Sequence, residues 1–159
     1  MMKSEDFPLS HVHQKFMARA FMLAEQAFDE GEVPIGAIVV QNHQIIGKGY
    51  NQVEKLNDPT AHAEIIAISA ACEHLHNKYL PGCTLYVTVE PCPMCAGALV
   101  WSKIDTIVYG ASDSIAGACG SAFNISTNKK LNHQVQIIQG VMETDSSHLL
   151  KSFFKNRRS

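Results

Sequence analysis

Two short strings, His62-Ala63-Glu64 and Pro91-Cys92-Pro93-Met94-Cys95, constrain this chain more than anything else in it; His62 and Cys92 stand 30 positions apart. One imidazole and two thiolates are zinc ligands, and the carboxylate beside them cannot be counted as a fourth. A tetrahedral zinc with three protein ligands keeps a position open for water, whereas a structural zinc is closed by four. For the strings to meet, a helix, a turn and a strand must return the chain so that both strings start helices at one edge of a sheet. The partial positive charge of helix N-termini favours thiolates at Cys92 and Cys95 and a hydroxide on the metal. Zinc lowers the pKa of its bound water from about 15.7 to near 7. Glu64, on the same first helical turn as His62, is placed to take a proton from that water. A closed site with Cys72, Cys83 or Cys119 as fourth ligand is the structural rival, and it leaves Glu64 without a role.

The hydrophobic pattern supports such a fold. Apolar residues Phe16, Ala20, Leu23, Ala24, Ala27 and Phe28 form one face of a helix over 13–30, stopped by Gly31. Strands are expected at 35–40 and 45–50, joined as a hairpin through Gln41-Asn42-His43-Gln44. A helix from about 61 to 76 follows, capped by Asp58 or Thr60. Next come a strand at 84–89, a short helix from Pro91 and Cys92 to Val100 or Trp101, and a strand at 106–109. The polar stretch 111–133 holds a short helix at 121–125. A strand at 135–138 and a helix over 146–155 complete the chain. Strands three to five are separated by enough chain to be parallel, and only the first pair is a hairpin. The order predicts an α/β fold, a three-layer α-β-α sandwich around a mixed five-stranded sheet. A single domain over 1–159 is expected, with no internal boundary.

Five cysteines, two of them in a C-x-x-C, argue against a disulfide framework and for metal or thiol chemistry. Residues 1–13 are polar where a signal peptide needs an apolar run, and no stretch approaches the roughly 18 apolar residues of a membrane span. A cytoplasmic protein with no membrane partner is expected. Thirteen basic against 15 acidic residues do not advertise a nucleic-acid partner. Lys151, Lys155, Arg157 and Arg158 nevertheless crowd the C-terminus, and Lys129 and Lys130 sit in a polar loop. Such clusters either contact phosphates or form the solvated end of a helix.

The two strings also read as the H-x-E … P-C-x-x-C signature of zinc-dependent nucleoside and nucleobase deaminases. Further strings narrow the match: Glu32-Val33-Pro34-Ile35-Gly36-Ala37, Asp58-Pro59-Thr60-Ala61 before His62, Leu85-Tyr86-Val87-Thr88-Val89-Glu90 before Pro91, Asn132-His133, and Phe153-Phe154-Lys155-Asn156-Arg157-Arg158. In these the chain resembles the bacterial tRNA-specific adenosine deaminases of the cytidine and deoxycytidylate deaminase superfamily, from the first helix almost to the last residue.

The resemblance implies a cytidine-deaminase-like homodimer with one zinc per subunit. It implies conversion of adenosine to inosine at the wobble position of an arginine tRNA, the anticodon stem-loop presenting a base that can be splayed out. Carried over, His62, Cys92 and Cys95 bind zinc. Glu64 passes protons to a ring nitrogen and then to the amine, which leaves as ammonia. Asn51 hydrogen-bonds the flipped purine, and the backbone of Ala63 and Val89 frames the pocket. Asp113 contacts the preceding nucleotide, while Phe154 and the terminal arginines touch the anticodon loop. The chain departs from the family at Ser112, Ile115, Ala116, Thr127 and Asn128. The zinc strings alone also fit a free-base or nucleoside deaminase acting on guanine or cytosine, or a non-catalytic zinc-stabilised RNA-binding module.

Overall fold

The structure, a computed structural model, describes residues 9–157. Helix α1 (Leu9–Asp29) leads into strands β1 (Gly36–Gln41) and β2 (Gln44–Tyr50), a short helix α2 (Val53–Leu56) and helix α3 (Ala63–Leu75). Then follow β3 (Cys83–Val89), α4 (Pro93–Trp101), β4 (Thr106–Ala111), β5 (Gln136–Ile138) and α5 (Glu143–Arg157). The five strands form one sheet in the order β2-β1-β3-β4-β5. β1 runs antiparallel to both β2 and β3, while β3, β4 and β5 are parallel. The hairpin turns at Asn42 and His43, both at positive φ, the conformation a two-residue loop needs to match the strand twist.

Strand side chains alternate between two cores. Ala37, Val39, Leu85, Val87, Ile107 and Tyr109 face α3 and α4. Ile38, Val40, Tyr86 and Val108 face Phe16, Met17 and Ala20 of α1. Helix α5 lies on the α1 side, where Phe153 packs edge-on against Phe28 at 6.0 Å. Both faces are therefore covered, which is why β1 and β3 read as nearly continuous apolar runs. The mixed α/β sandwich expected from the sequence is the fold.

Several local expectations are corrected. Helix α3 starts at Ala63, not 61. Asp58 instead accepts the Thr60 N–H and hydroxyl in a tight turn, and His62 is the N-cap residue with no side-chain cap bond. Helix α4 starts at Pro93, so Cys92 is an N-cap residue and not part of the first turn. Residues 121–125 are not a helix. The N–H groups of Ala122 and Phe123 turn back to the Gly117 carbonyl and Ile125 bonds Ala118, so no helical ladder forms. Helix α2 was not expected, and α1 and α5 each begin before the sequence pattern suggests.

Candidate active site

The carboxyl ends of β3 and β4 open onto a crevice, the place where open α/β sheets bind ligands. Three turns meet there. β2 ends at Tyr50 and delivers Asn51; β3 ends at Val89 and delivers Glu90, Pro91 and Cys92; β4 ends at Ala111 and delivers Ser112 and Asp113. The N-termini of α3 and α4 converge on the same point, which brings His62, Cys92 and Cys95 together.

His62 Nδ1 lies 3.6 Å from Cys92 Sγ and 3.5 Å from Cys95 Sγ. A tetrahedral zinc at ordinary bond lengths separates a nitrogen and a sulfur ligand by about 3.6 Å. The three donor atoms all lie within 4.8 Å of one another, and they are the metal-binding group found among the described residues. Cys72, Cys83 and Cys119 lie outside it. Cys119 pairs instead with Ser126 Oγ at 3.0 Å, and the Cys83 thiol faces the Pro81 carbonyl. Donor type and spacing thus fit zinc with three protein ligands.

Hydrogen bonds from Cys95 and His62 hold the Cys92 thiol down to about 4, as a metal-binding thiolate requires. The shared hydrogen bond and burial push Cys95 upward. The bond to Cys92 raises His62 against the desolvation that would lower it. Glu64 is 3% exposed, and burial pushes its carboxyl up to about 7. Its Oε1 is buried and makes no hydrogen bond. A buried polar atom without a partner is costly, so this one is explained by a group bound beside it.

The cavity above these residues has a volume of about 300 Å³ and is lined by Ile35, Asn51, His62, Glu64, Val89, Cys92 and Asp113, among others. That suits a nucleobase-sized ligand. Asn51 is buried and accepts the Ala63 N–H at 2.8 Å, so one hydrogen bond fixes it and also completes the start of α3. The Ala63 amide is thereby occupied, while Val89 faces the cavity. Phe154 is 45% exposed and sits outside the cavity, in a neighbouring groove with Ser112, Leu150 and Lys151. Arg157 reaches the cavity rim, where it donates to the Gly31 carbonyl and covers the Phe153 ring at 4.5 Å. Arg158 lies outside the described residues.

Two lining residues were not singled out in the sequence. Glu32 is buried and accepts the N–H groups of Glu54 and Lys55, which holds α2 at one wall. Glu90 does the equivalent for the opposite wall. Both stand inside family strings, and neither has a spacing that announces its role.

Residues 11–158 match the family of MafB19-like deaminases. A tRNA-specific adenosine deaminase of Aquifex aeolicus is 49% identical over 144 residues, which cover 91% of this chain and 95% of that protein. The chain belongs to the tRNA-specific adenosine deaminase family. The Bacillus subtilis member is 42% identical over 90% of this chain and 89% of its own length. Among solved structures, one from work on A-to-I editing by tRNA deaminases at the wobble position of transfer RNA superposes with a TM-score of 0.83. It is 40% identical and covers 86% of this chain and 99% of that one. A guanine deaminase from Nitrosomonas europaea shares the fold, with a TM-score of 0.78 at 24% identity over 88% of this chain and 83% of that one.

Proposed function

We propose that this tRNA-specific adenosine deaminase hydrolyses the adenosine at the wobble position of a tRNA anticodon loop, of the arginine type, to inosine. The observation that carries the reading is the three-ligand group with Glu64 buried beside it, at the floor of a base-sized cavity. His62, Cys92 and Cys95 would hold zinc, one per subunit, and a bound zinc supplies Lewis acidity and an acidified water. The chain's own residues do the rest. Asn51 orients the purine and Val89 walls it. The Glu64 carboxylate takes a proton from the attacking water as its oxygen bonds to C6 of the base. It delivers that proton to the ring nitrogen, then takes the remaining proton of the new C6 hydroxyl and passes it to the amine, whose bond to C6 breaks as the carbonyl forms and ammonia leaves. Such a base must be splayed out of an RNA loop, because C6 is out of reach in a stacked helix. Asp113 at the rim, and Phe154 with Lys151 and Lys155 in the adjoining groove, would take flanking nucleotides.

A homodimer belongs to the same proposal. Apart from the Cys95 thiol and the Trp101 indole N–H, helix α4 carries only apolar side chains. Cys95, Ala96, Leu99 and Val100 are buried, while Met94 and Trp101 stand exposed on its other side, Trp101 at 79%. A helix apolar all round is a helix meant to be covered, and a second copy would cover this one. No helix among the described residues is long and apolar enough to cross a membrane. A single deaminase domain working in the cytoplasm is the natural setting for a tRNA substrate.

The test is incubation of the zinc-loaded protein with an anticodon stem-loop carrying wobble adenosine, in parallel with free guanine and free cytosine. Inosine from the stem-loop is the expected product. Turnover of a free base without inosine would overturn the reading, and no turnover of any substrate would favour a binding module.

A further inference from the structure

The Glu90 side chain is 3% exposed, although it is a carboxylate at the end of a strand. Its two oxygens take four donors from a single loop. Oε1 accepts the Asp113 N–H at 3.1 Å and the Ser121 hydroxyl; Oε2 accepts the N–H groups of Cys119 at 3.0 Å and Ser121 at 3.2 Å. Glu90 is held in its turn, its own N–H bonded to the Ala111 carbonyl. The loop closes tightly over it. A β-carbon at Gly117 would overlap Glu90 Cδ and the Asp113 carbonyl oxygen, and would lie 2.5 Å from Glu90 Oε1. Gly117 is thus needed for close approach and not for an unusual φ.

The loop that Glu90 gathers forms a cavity wall. Asp113 and Ala116 line the cavity, and Asp113 Oδ1 accepts the N–H groups of Ile115 and Ala116 at 3.0 Å. The Asp113 side chain is therefore fixed from both sides, by its own turn and by the bond from its amide to Glu90. Glu90 lies two positions before Cys92, yet none of its four bonds goes to a zinc ligand or to Glu64.

We infer that Glu90 is a positioning residue for substrate binding, holding residues 113–121 as a preformed wall so that Asp113 meets the RNA; this rests on the stem-loop reading above. The residue acts on binding through Asp113 and leaves the metal centre alone. Preorganising a wall lowers the ordering cost at binding, so its loss falls on KM.

The experiment compares the holoenzyme and its variants E90Q, G117A, D113A and E90Q/D113A in steady-state turnover of the anticodon stem-loop, with zinc measured in each. In E90Q an amide NH2 replaces one oxygen and faces donors it cannot accept, while G117A displaces the loop and leaves the carboxylate intact. Both are expected to raise KM about tenfold or more, with kcat within about threefold of wild type. Zinc content stays unchanged, and in the D113A background E90Q adds less than about twofold. If E90Q does not fold, S121A replaces it, removing the hydroxyl donor with an expected KM increase of about threefold. An unchanged KM in E90Q and G117A, a fall in kcat at constant KM, or loss of zinc overturns the inference while the substrate reading stands. A wild-type enzyme inert on the stem-loop overturns the reading, and this inference falls with it.

Discussion

At the scale of single residues the proposed site divides into groups that would hold the metal and one that would move protons. His62 Nδ1 sits at 3.6 and 3.5 Å from the two sulfurs, so removing any of the three leaves a zinc with too few protein ligands. His62→Ala and Cys92→Ala are expected to lose zinc and turnover together, as metal analysis of the purified variants would reveal. Asn51 has a double duty: its Oδ1 satisfies the Ala63 amide. Asn51→Ala should therefore cost about 1–3 kcal/mol of stability as well as substrate affinity, read from a lowered Tm and a reduced kcat/KM. That His62, Cys92 and Cys95 come together was legible in the sequence, because metal geometry demands particular residue types in short strings. Glu32 and Glu90 were not. Apart from the Ser121 hydroxyl, their partners are backbone amides more than 20 positions away, and a backbone amide leaves no mark in a sequence.

Elements reach the site through close packing. Helix α3 lies directly on β2 because Gly49 and Gly47 leave room for its backbone. A β-carbon at Gly49 would overlap the Ala63 carbonyl and lie 2.8 Å from the Ala67 nitrogen. Gly49→Ala should push the start of α3 away from the sheet, carrying His62 and Glu64 with it. A loss of about 1–3 kcal/mol in denaturant unfolding is expected, with a larger proportional loss of turnover. On the opposite face, His13 of α1 bonds Tyr86 of β3 at 2.8 Å, and burial holds its imidazole below the usual 6.5. The unfolded chain then binds the proton more readily, so the contribution of His13 to stability is whole well above pH 6.5 and declines as pH falls below it. Glu64, its carboxyl pushed up to about 7, titrates in the opposite sense, so the effect is read as the difference in Tm between wild type and His13→Gln in buffers from pH 7.5 down to 5, which should shrink as pH falls. Strands and long helices were readable from their periodicity, and the parallel order of β3 to β5 from the length of chain between them. The 121–125 segment was misread because its amides bond back to Gly117 and Ala118 and, at Ser121, to Glu90, pairings that the sequence does not mark.

For the whole molecule, α4 would link chemistry and the proposed homodimer, since one side carries Cys95 and the other exposes Trp101. Trp101→Glu is expected to weaken self-association at least about tenfold in sedimentation equilibrium, as loss of a buried aromatic anchor does. The sandwich was legible because its element order admits few topologies. The shape of the RNA-facing rim was not, because it depends on where Arg157 and the loop over Glu90 come to rest. The proposed function turns on Glu64 working beside a zinc that it would not hold. The most direct measurement is zinc content and wobble inosine formation in one preparation of Glu64→Ala. One zinc per chain with turnover reduced about 100- to 10 000-fold is the expected result. Inosine formation near the wild-type rate, or loss of zinc along with activity, would contradict it.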